Sequence, residues 1–366
     1  MSSRKPFKKC ILHIGTEKTG TTAIQEYLKH NRDALRKHGI YYPIAADTAH
    51  SSLWEFVAIA HHEPWLQDTG RELGITDQAS QADFRDTLRD KLDAEFEKAN
   101  SADTLIISSE HFQSRLHLED EIRDLRAFLD RWVERFEILV YFRRQDELAL
   151  SLLSTRLKSS AQVTLDNILR TLNNTPKYFA YDEIYSRWAN VFGPEAMRPR
   201  VYAPDQWPND SLVSDFCVAA GLPEFSIVPH RHNQSLNRQG FQFMHALNHL
   251  YPNPPGDWTD EKRAELVRRV GELFAGKYYP LSQHQAISFY RQFDKANERL
   301  RQMAFPDKPA PLFSEDFSQY PEEAESVVPD FNDAVEVAVA LWNSTPTEKE
   351  PDEKPSLRRW LPWPKR

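Results

Sequence analysis

Cysteine is nearly absent from this chain: Cys10 and Cys217 are the only two. Two thiols cannot build a disulfide framework, and the sequence has neither a CxxC pair nor a Cys/His zinc spacing. One bridge between them is possible, but buried free thiols in a reducing compartment are the expected state. No stretch approaches 18 uninterrupted apolar residues, which excludes a membrane-spanning helix. The basic start, Met1 to Lys9, is followed by too short an apolar stretch for a signal peptide, so a cytoplasmic location is expected. Excess positive charge is missing too. The net charge of −8 argues against a broad nucleic-acid-binding face, although a nucleotide ligand needs only a local cationic site. No internal repeat is present.

What remains is the composition of a folded protein. Of 366 residues 40% are hydrophobic, 12% aromatic and 27% charged, enough for a sizeable core in one large α/β domain or two small ones. Cys10–Gly15 reads as a buried strand. Thr21–Lys37 carries Ile24, Tyr27, Leu28 and Leu35 on one helical face, and Gly39 ends it. A short extended segment follows at Ile40–Pro43. Asp83–Asn100 and Glu119–Arg135 read as helices, Thr104–Ser109 and Glu137–Phe142 as buried strands, and a further helix runs to about Lys158. Tyr181–Phe192 and Ser211–Ala220 are also helical, with a short strand at Arg200–Tyr202 between them. Beyond Arg231, helices are expected at about 238–250, 260–274, 283–303 and 331–342. This alternation predicts an α/β fold with a central parallel sheet flanked by helices, P-loop-like, and a mainly helical C-terminal part from about 205. The expected organisation is a single domain over 1–342. A tail over 343–366 is expected to be disordered, because Asn343–Lys354 is rich in proline and charge.

The strongest motif is Gly15-Thr-Glu-Lys-Thr-Gly-Thr-Thr22, placed between a strand and a helix. Such a turn aims backbone N–H groups inward, and the helix dipole favours an anion there. The spacing Gly15-x4-Gly20 is that of a nucleotide phosphate loop, but Thr21 stands where the ATP-type loop has its lysine. The lysine lies earlier, at Lys18, inside the turn. From there it can reach a bridging oxygen that gains charge as a phosphate leaves, without a metal.

The run Lys18-Thr-Gly-Thr-Thr-Ala-Ile-Gln-Glu-Tyr-Leu28 resembles the phosphosulfate loop of the PAPS-dependent sulfotransferases. Ala23, where the cytosolic small-molecule enzymes usually carry tryptophan, makes it more similar to the carbohydrate branch. The resemblance covers about the first 160 residues at motif level. It implies that Thr16, Glu17, Lys18, Thr19, Gly20, Thr21 and Thr22 hold the 5′-phosphosulfate of PAPS, with PAP as product and no metal required. The family binds the 3′-phosphate with an arginine at the end of a later strand and a serine eight residues on. Here these are Arg143 and Ser151. The usual Arg-Asn-Pro is replaced by Arg143-Arg144-Gln145, so Arg144 is an alternative, and Glu147 falls where the family often has an acidic residue.

Sulfuryl transfer to a hydroxyl or amine needs a general base. Glu110 and His111 follow a predicted parallel strand, the edge at which open α/β sheets bind ligands. His50 and Glu55 fall where carbohydrate enzymes commonly place a glutamate, and the order of preference is Glu110, His50, His111. Ser108 and Ser109 are either spectators or ligand contacts. His61-His62-Glu63 is read as exposed rather than metal-binding. Arg231-His-Asn-Gln-Ser-Leu236 resembles a segment of bacterial sulfotransferase-like proteins, and either closes over a nucleotide or caps the next helix through Asn233 or Ser235. Arg358, Arg359, Trp360 and Trp363 give the tail weak potential for peripheral membrane or partner contact. The expected activity is sulfuryl transfer from PAPS to a hydroxyl or amine of a small-molecule or glycan acceptor, with a carbohydrate favoured and no nucleic-acid partner. The rivals are a magnesium-dependent P-loop kinase or NTPase and a non-catalytic PAP-binding protein.

Overall fold

Five strands, rich in residues that are apolar on both faces, pair entirely in parallel in the computed structural model, in the order β2-β3-β1-β4-β5. The strands are β1 Phe7–His13, β2 Ile40–Tyr41, β3 Thr104–Ser108, β4 Val133–Phe142 and β5 Met197–Val201. The structure describes residues 5–44, 52–99, 102–159, 165, 170, 176–226, 235–251 and 260–344. Leu105, Ile106 and Ile107 of β3 and Ile138 to Phe142 of β4 are buried, as a sheet covered on both faces requires.

The helices around and after it are α1 Thr21–His30, α2 Arg32–Lys37, α3 Trp54–Ala58, α4 Asp68–Glu72, α5 Gln78–Phe96, α6 His111–Arg115, α7 Glu119–Leu129 and α8 Gln145–Ser159. Further along the chain come α9 Pro176–Phe179, α10 Tyr181–Phe192, α11 Leu212–Ala220, α12 Arg238–Leu250, α13 Asp260–Leu273, α14 Gln283–Arg291, α15 Asp294–Ala304 and α16 Phe331–Asn343. The expected fold class holds: a central parallel sheet flanked by helices, with a mainly helical C-terminal part.

Several boundaries move for identifiable reasons. The expected helix Thr21–Lys37 is two helices, because the Asn31 side chain donates to the Tyr27 carbonyl at 2.9 Å and to the Ser226 carbonyl at 3.0 Å. The helix expected to reach Arg135 stops at Leu129, and Val133 pairs with Phe7 at the start of the sheet. The expected helix 283–303 is likewise divided, at Gln292 and Phe293.

The chain forms two compact units. The first comprises Met1–Arg143, Ala180–His230 and Lys295–Phe313, and it holds the whole sheet. The second comprises Arg144–Phe179, Arg231–Asp294 and Ser314–Arg366, and its described regular structure is helical. Cys10 and Cys217 are both buried free thiols, and burial pushes both pKa values up. Among the described residues no helix is long and apolar enough to cross a membrane.

One buried polar contact braces the first unit. On β4 the Tyr141 hydroxyl donates to Asp215 Oδ2 at 2.7 Å, and Arg200 of β5 grips both oxygens of the same carboxylate. Asp215 sits on α11 and is 2% exposed, whereas Arg200 keeps partial solvent contact. Removing the carboxylate strands a buried hydroxyl and half-frees a partly solvated cation. Asp215→Ala is therefore expected to lower stability by about 2 kcal/mol in urea unfolding. Asp215→Asn, which keeps an acceptor for Tyr141, should lose roughly half as much.

Candidate active site at the carboxyl edge of the sheet

Three strands of the first unit end together. His13 of β1 stands opposite Ser108 of β3 and Leu139 of β4. Each strand then feeds one part of the site: β1 the Gly15–Thr22 loop, β3 Glu110 and His111, β4 Arg143.

The loop begins as a continuation of the sheet. The Tyr141 N–H donates to the Gly15 carbonyl at 2.7 Å, and the Tyr141 carbonyl accepts from the Thr16 N–H and hydroxyl, both at 3.1 Å. Thr19 Oγ1 donates to the Thr16 carbonyl at 2.6 Å and closes the turn. Two positions require glycine. Gly15 has φ 98°, and a Cβ there would lie 3.1 Å from the Glu110 Cα; Gly20 has φ 76°, and a Cβ would meet Leu212 Cδ2 at 2.2 Å.

Lys18 occupies the left-handed region without being glycine, at φ 63°. Such backbone costs on the order of 1 kcal/mol and persists where surrounding contacts over-determine it. One such contact is Arg143, whose Nη1 donates to the Lys18 carbonyl at 3.1 Å. Gly20, the N-cap of α1, supplies no side-chain acceptor. Among the described residues the N–H groups of Thr19, Gly20, Thr21 and Thr22 find no backbone acceptor. This cluster of donors at a helix start suits an anion. The Lys18 pKa is lowered, first by burial and further by Arg143, against the opposing pull of Glu17 and Glu110.

Glu110 is 8% exposed at the start of α6, with Oε2 accepting from Gln25 Nε2 at 2.7 Å. Its Oε1 lies 3.9 Å from His111 Nε2, beyond hydrogen-bond distance. The His111 ring meets the Trp54 ring edge-on at 5.0 Å. Glu55, next to Trp54 on α3, is buried. The structure thus brings Glu110 and His111 to the loop side of the sheet, while His50 lies outside the described residues. Gln25 and His13 had no signal in the sequence. Gln25 is one polar residue within a helix, and His13 ends a strand that reads as plain core. His13 is fully buried, with Nδ1 2.8 Å from the Ser108 hydroxyl. Ser109 continues the ladder by donating its N–H to the His13 carbonyl at 2.9 Å.

The two arginines after β4 differ. Arg143 is half-buried, with its guanidinium 5.0 Å from the centre of the Tyr202 ring and its carbonyl accepting from the Tyr181 hydroxyl at 2.6 Å. Arg144 belongs to the second unit. It makes a bidentate pair with Asp146 at 2.8 and 2.9 Å and donates to the carbonyls of Ser314 and Asp316 at 2.8 and 2.6 Å. Its guanidinium is committed to structure. Glu147 lies 3.7 Å from it. Ser151 lies on α8 in the second unit, half-buried, with its carbonyl accepting from Thr155 Oγ1 at 3.0 Å.

Elsewhere, His61 Nδ1 accepts the Glu63 N–H at 2.9 Å, and His62 Nε2 lies 3.4 Å from Asp124. Of Arg231–Leu236, residues 231–234, Asn233 included, lie outside the described residues. The following helix is capped by Asn237, whose side chain accepts the Gly240 N–H at 3.0 Å.

No protein-family model and no curated protein matches this sequence. Among solved structures the chain is similar to a sulfotransferase from Alicyclobacillus acidocaldarius, with 17% identity, covering 70% of this chain and 95% of that one, at a TM-score of 0.35. It is also similar to the sulfotransferase domain from the curacin biosynthetic pathway, with 12% identity, covering 74% and 98% of the two chains, at a TM-score of 0.35. Likeness at this level carries no functional argument, and the reading below stands on the residues.

Burial holds the His13 pKa down to about 4, with Glu110 pulling weakly upward. The folded imidazole therefore stays neutral where the unfolded one takes up a proton. The His13 contribution is constant above pH 6.5 and costs stability as pH drops from 6.5 towards 4, by up to about 3 kcal/mol. His13→Asn should flatten that part of the stability–pH curve in urea titrations. Equal slopes for the two proteins would refute the assignment.

Proposed function

We propose that this protein is a sulfotransferase that moves a sulfuryl group from PAPS to a hydroxyl or amine. The observation that carries the reading is the link between the two sequence motifs: Arg143, at the end of β4, donates to the carbonyl of Lys18, the lysine displaced into the turn. An ATP-type loop needs its lysine after the second glycine, where this chain has Thr21.

PAPS supplies a sulfur already bonded to a good leaving group. The Thr19–Thr22 N–H groups and threonine hydroxyls would hold its 5′ end, and Thr16 and Glu17 complete the loop. Lys18 would stabilise charge on the bridging oxygen as the sulfur–oxygen bond breaks and PAP departs. Arg143 would grip the 3′-phosphate through its guanidinium, which lies 5.0 Å from the centre of the Tyr202 ring. Glu110, fixed through Oε2 by Gln25, would accept the acceptor's proton on Oε1 as the new bond to sulfur forms. His50 and then His111 are the alternative bases. A carbohydrate acceptor is favoured by the Lys18–Ala23 variant of the loop.

Lys18→Ala should lower transfer of labelled sulfate from PAPS by about 100-fold or more, with a much smaller effect on PAP affinity. Calorimetry comparing PAP with ADP plus magnesium separates this reading from a kinase or NTPase, and preferential ADP binding would overturn it. Binding of PAP without any turnover, across a panel of acceptors, would leave a non-catalytic PAP-binding protein.

Arg143→Ala should weaken PAP by about 10- to 100-fold while changing AMP affinity little, because only the former carries the 3′-phosphate. Equal losses for both nucleotides would remove the assigned role.

A further inference from the structure

α16 is held on one side and bare on the other. On the held side Val337 is 1% exposed, Asp333 pairs with Arg238 of α12 at 3.0 Å, and Arg269 of α13 donates to the Ser344 carbonyl at 3.0 Å. The start of the helix is capped, with the Asp330 side chain accepting the Asp333 N–H at 2.7 Å. The helix is thus a fixed part of the second unit, and its other face is presented in a defined direction. On that face Phe331, Val335, Val339 and Trp342 are 82%, 43%, 52% and 89% exposed, and Ala338 is exposed beside them. Spacings of four, four and three residues put them in one stripe about 17 Å long.

Size, symmetry and charge choose the partner. The stripe offers on the order of 500 Å² of apolar surface, most of it from the two aromatic rings. Two such faces together bury on the order of 1,000 Å² before any rim contact, which reaches the floor for a specific interface. The stripe also reads alike in both directions: aromatic, valine, valine, aromatic, with Phe331 and Trp342 at matching distances from a midpoint between Val335 and Val339. A surface related to itself by a two-fold axis needs that self-complementarity. Phe331–Asn343 contains no Lys, Arg or His, whereas a helix that lies on a membrane carries cations on its polar face. We propose that a second copy of this chain covers the stripe, the two α16 helices packing antiparallel about a two-fold axis.

In that pair Phe331 of each copy meets Trp342 of the other, an aromatic contact at either end. Between them Val335, Ala338 and Val339 are small enough for the helix axes to approach to about 8–10 Å. Glu336, the exposed charge of α16, accepts from Gln239 at 2.7 Å and stays at the rim. This inference is independent of the sulfotransferase reading.

Sedimentation velocity of the full chain tests it, and should show a monomer–dimer equilibrium with a dissociation constant on the order of 1–10 µM. Val335→Glu/Val339→Glu sets like charges against each other across the axis and should weaken the dimer at least about 100-fold, with unchanged far-UV circular dichroism. Phe331→Ser/Trp342→Ser, which alters two side chains that are largely in solvent, should weaken it at least about tenfold. Ala338→Cys, close to the axis, should form a disulfide-linked dimer on mild oxidation, since Cys10 and Cys217 are buried. A chain that stays monomeric at about 100 µM, or a dimer that neither double variant weakens, would overturn the proposal. So would a chain that dimerises only after removal of residues 345–366, which lie outside the described residues; the stripe would then belong to the chain's own end. A monomer that sediments with phosphatidylcholine vesicles, and no longer does so as Val335→Glu/Val339→Glu, would give the stripe to a membrane instead.

Discussion

The peptide group of Tyr141 on β4 is the contact on which the candidate site depends. Its N–H holds the Gly15 carbonyl and its carbonyl holds Thr16 twice, so bonding between the two segments continues past His13 to Thr16. A loop fastened in this way leaves the sheet in a defined direction. The chain must then turn sharply within the space left by Glu110, which is why Gly15 carries positive φ and no side chain. The same tyrosine reaches the other way through its hydroxyl, to Asp215 and through it to Arg200, tying α11 and β5 to the strand that carries the loop. One residue thus couples the stability of the sheet edge to the shape of the turn.

Within that frame the electrostatics oppose each other by design of position. Burial and Arg143 both disfavour the Lys18 ammonium, while Glu17 and Glu110 favour it. A doubly charged anion among the loop N–H groups would add to the favourable side and raise the basicity of the lysine. Glu110 is in a related position. Gln25 donates to one of its oxygens, which orients the carboxylate. Charge in this site is set by neighbours on three different elements, α1, α6 and the end of β4.

The parts that sequence alone revealed are those governed by short-range pattern. Parallel strands apolar on both faces, the glycine turn after β1, and helices such as Tyr181–Phe192 and Arg238–Leu250 all appear where periodicity and caps put them. The parts that stayed hidden depend on distant partners. β4 begins at Val133 because Phe7 is there to pair with it. Asn31 breaks a helix because the carbonyl of Ser226 lies within reach. The pairing of Gln25 with Glu110 joins positions 25 and 110, and His13 reads as core until the hydroxyl of Ser108 is placed against it. No local window contains such information.

Arg143 and Arg144 make the same point most sharply, because they are neighbours with the same chemistry. Arg143 turns to the loop, with one N–H on the Lys18 carbonyl and its face on Tyr202. For Arg144, Asp146 and two carbonyls take up its donors and the Phe317 ring lies 4.3 Å away. A buried guanidinium gripped bidentately by one carboxylate has little left to offer a phosphate, and releasing it would strand Asp146, which is 0% exposed. The eight-residue spacing to Ser151 pointed to Arg143 in the sequence; the structure adds that the Arg144 guanidinium is taken up by Asp146 and two carbonyls.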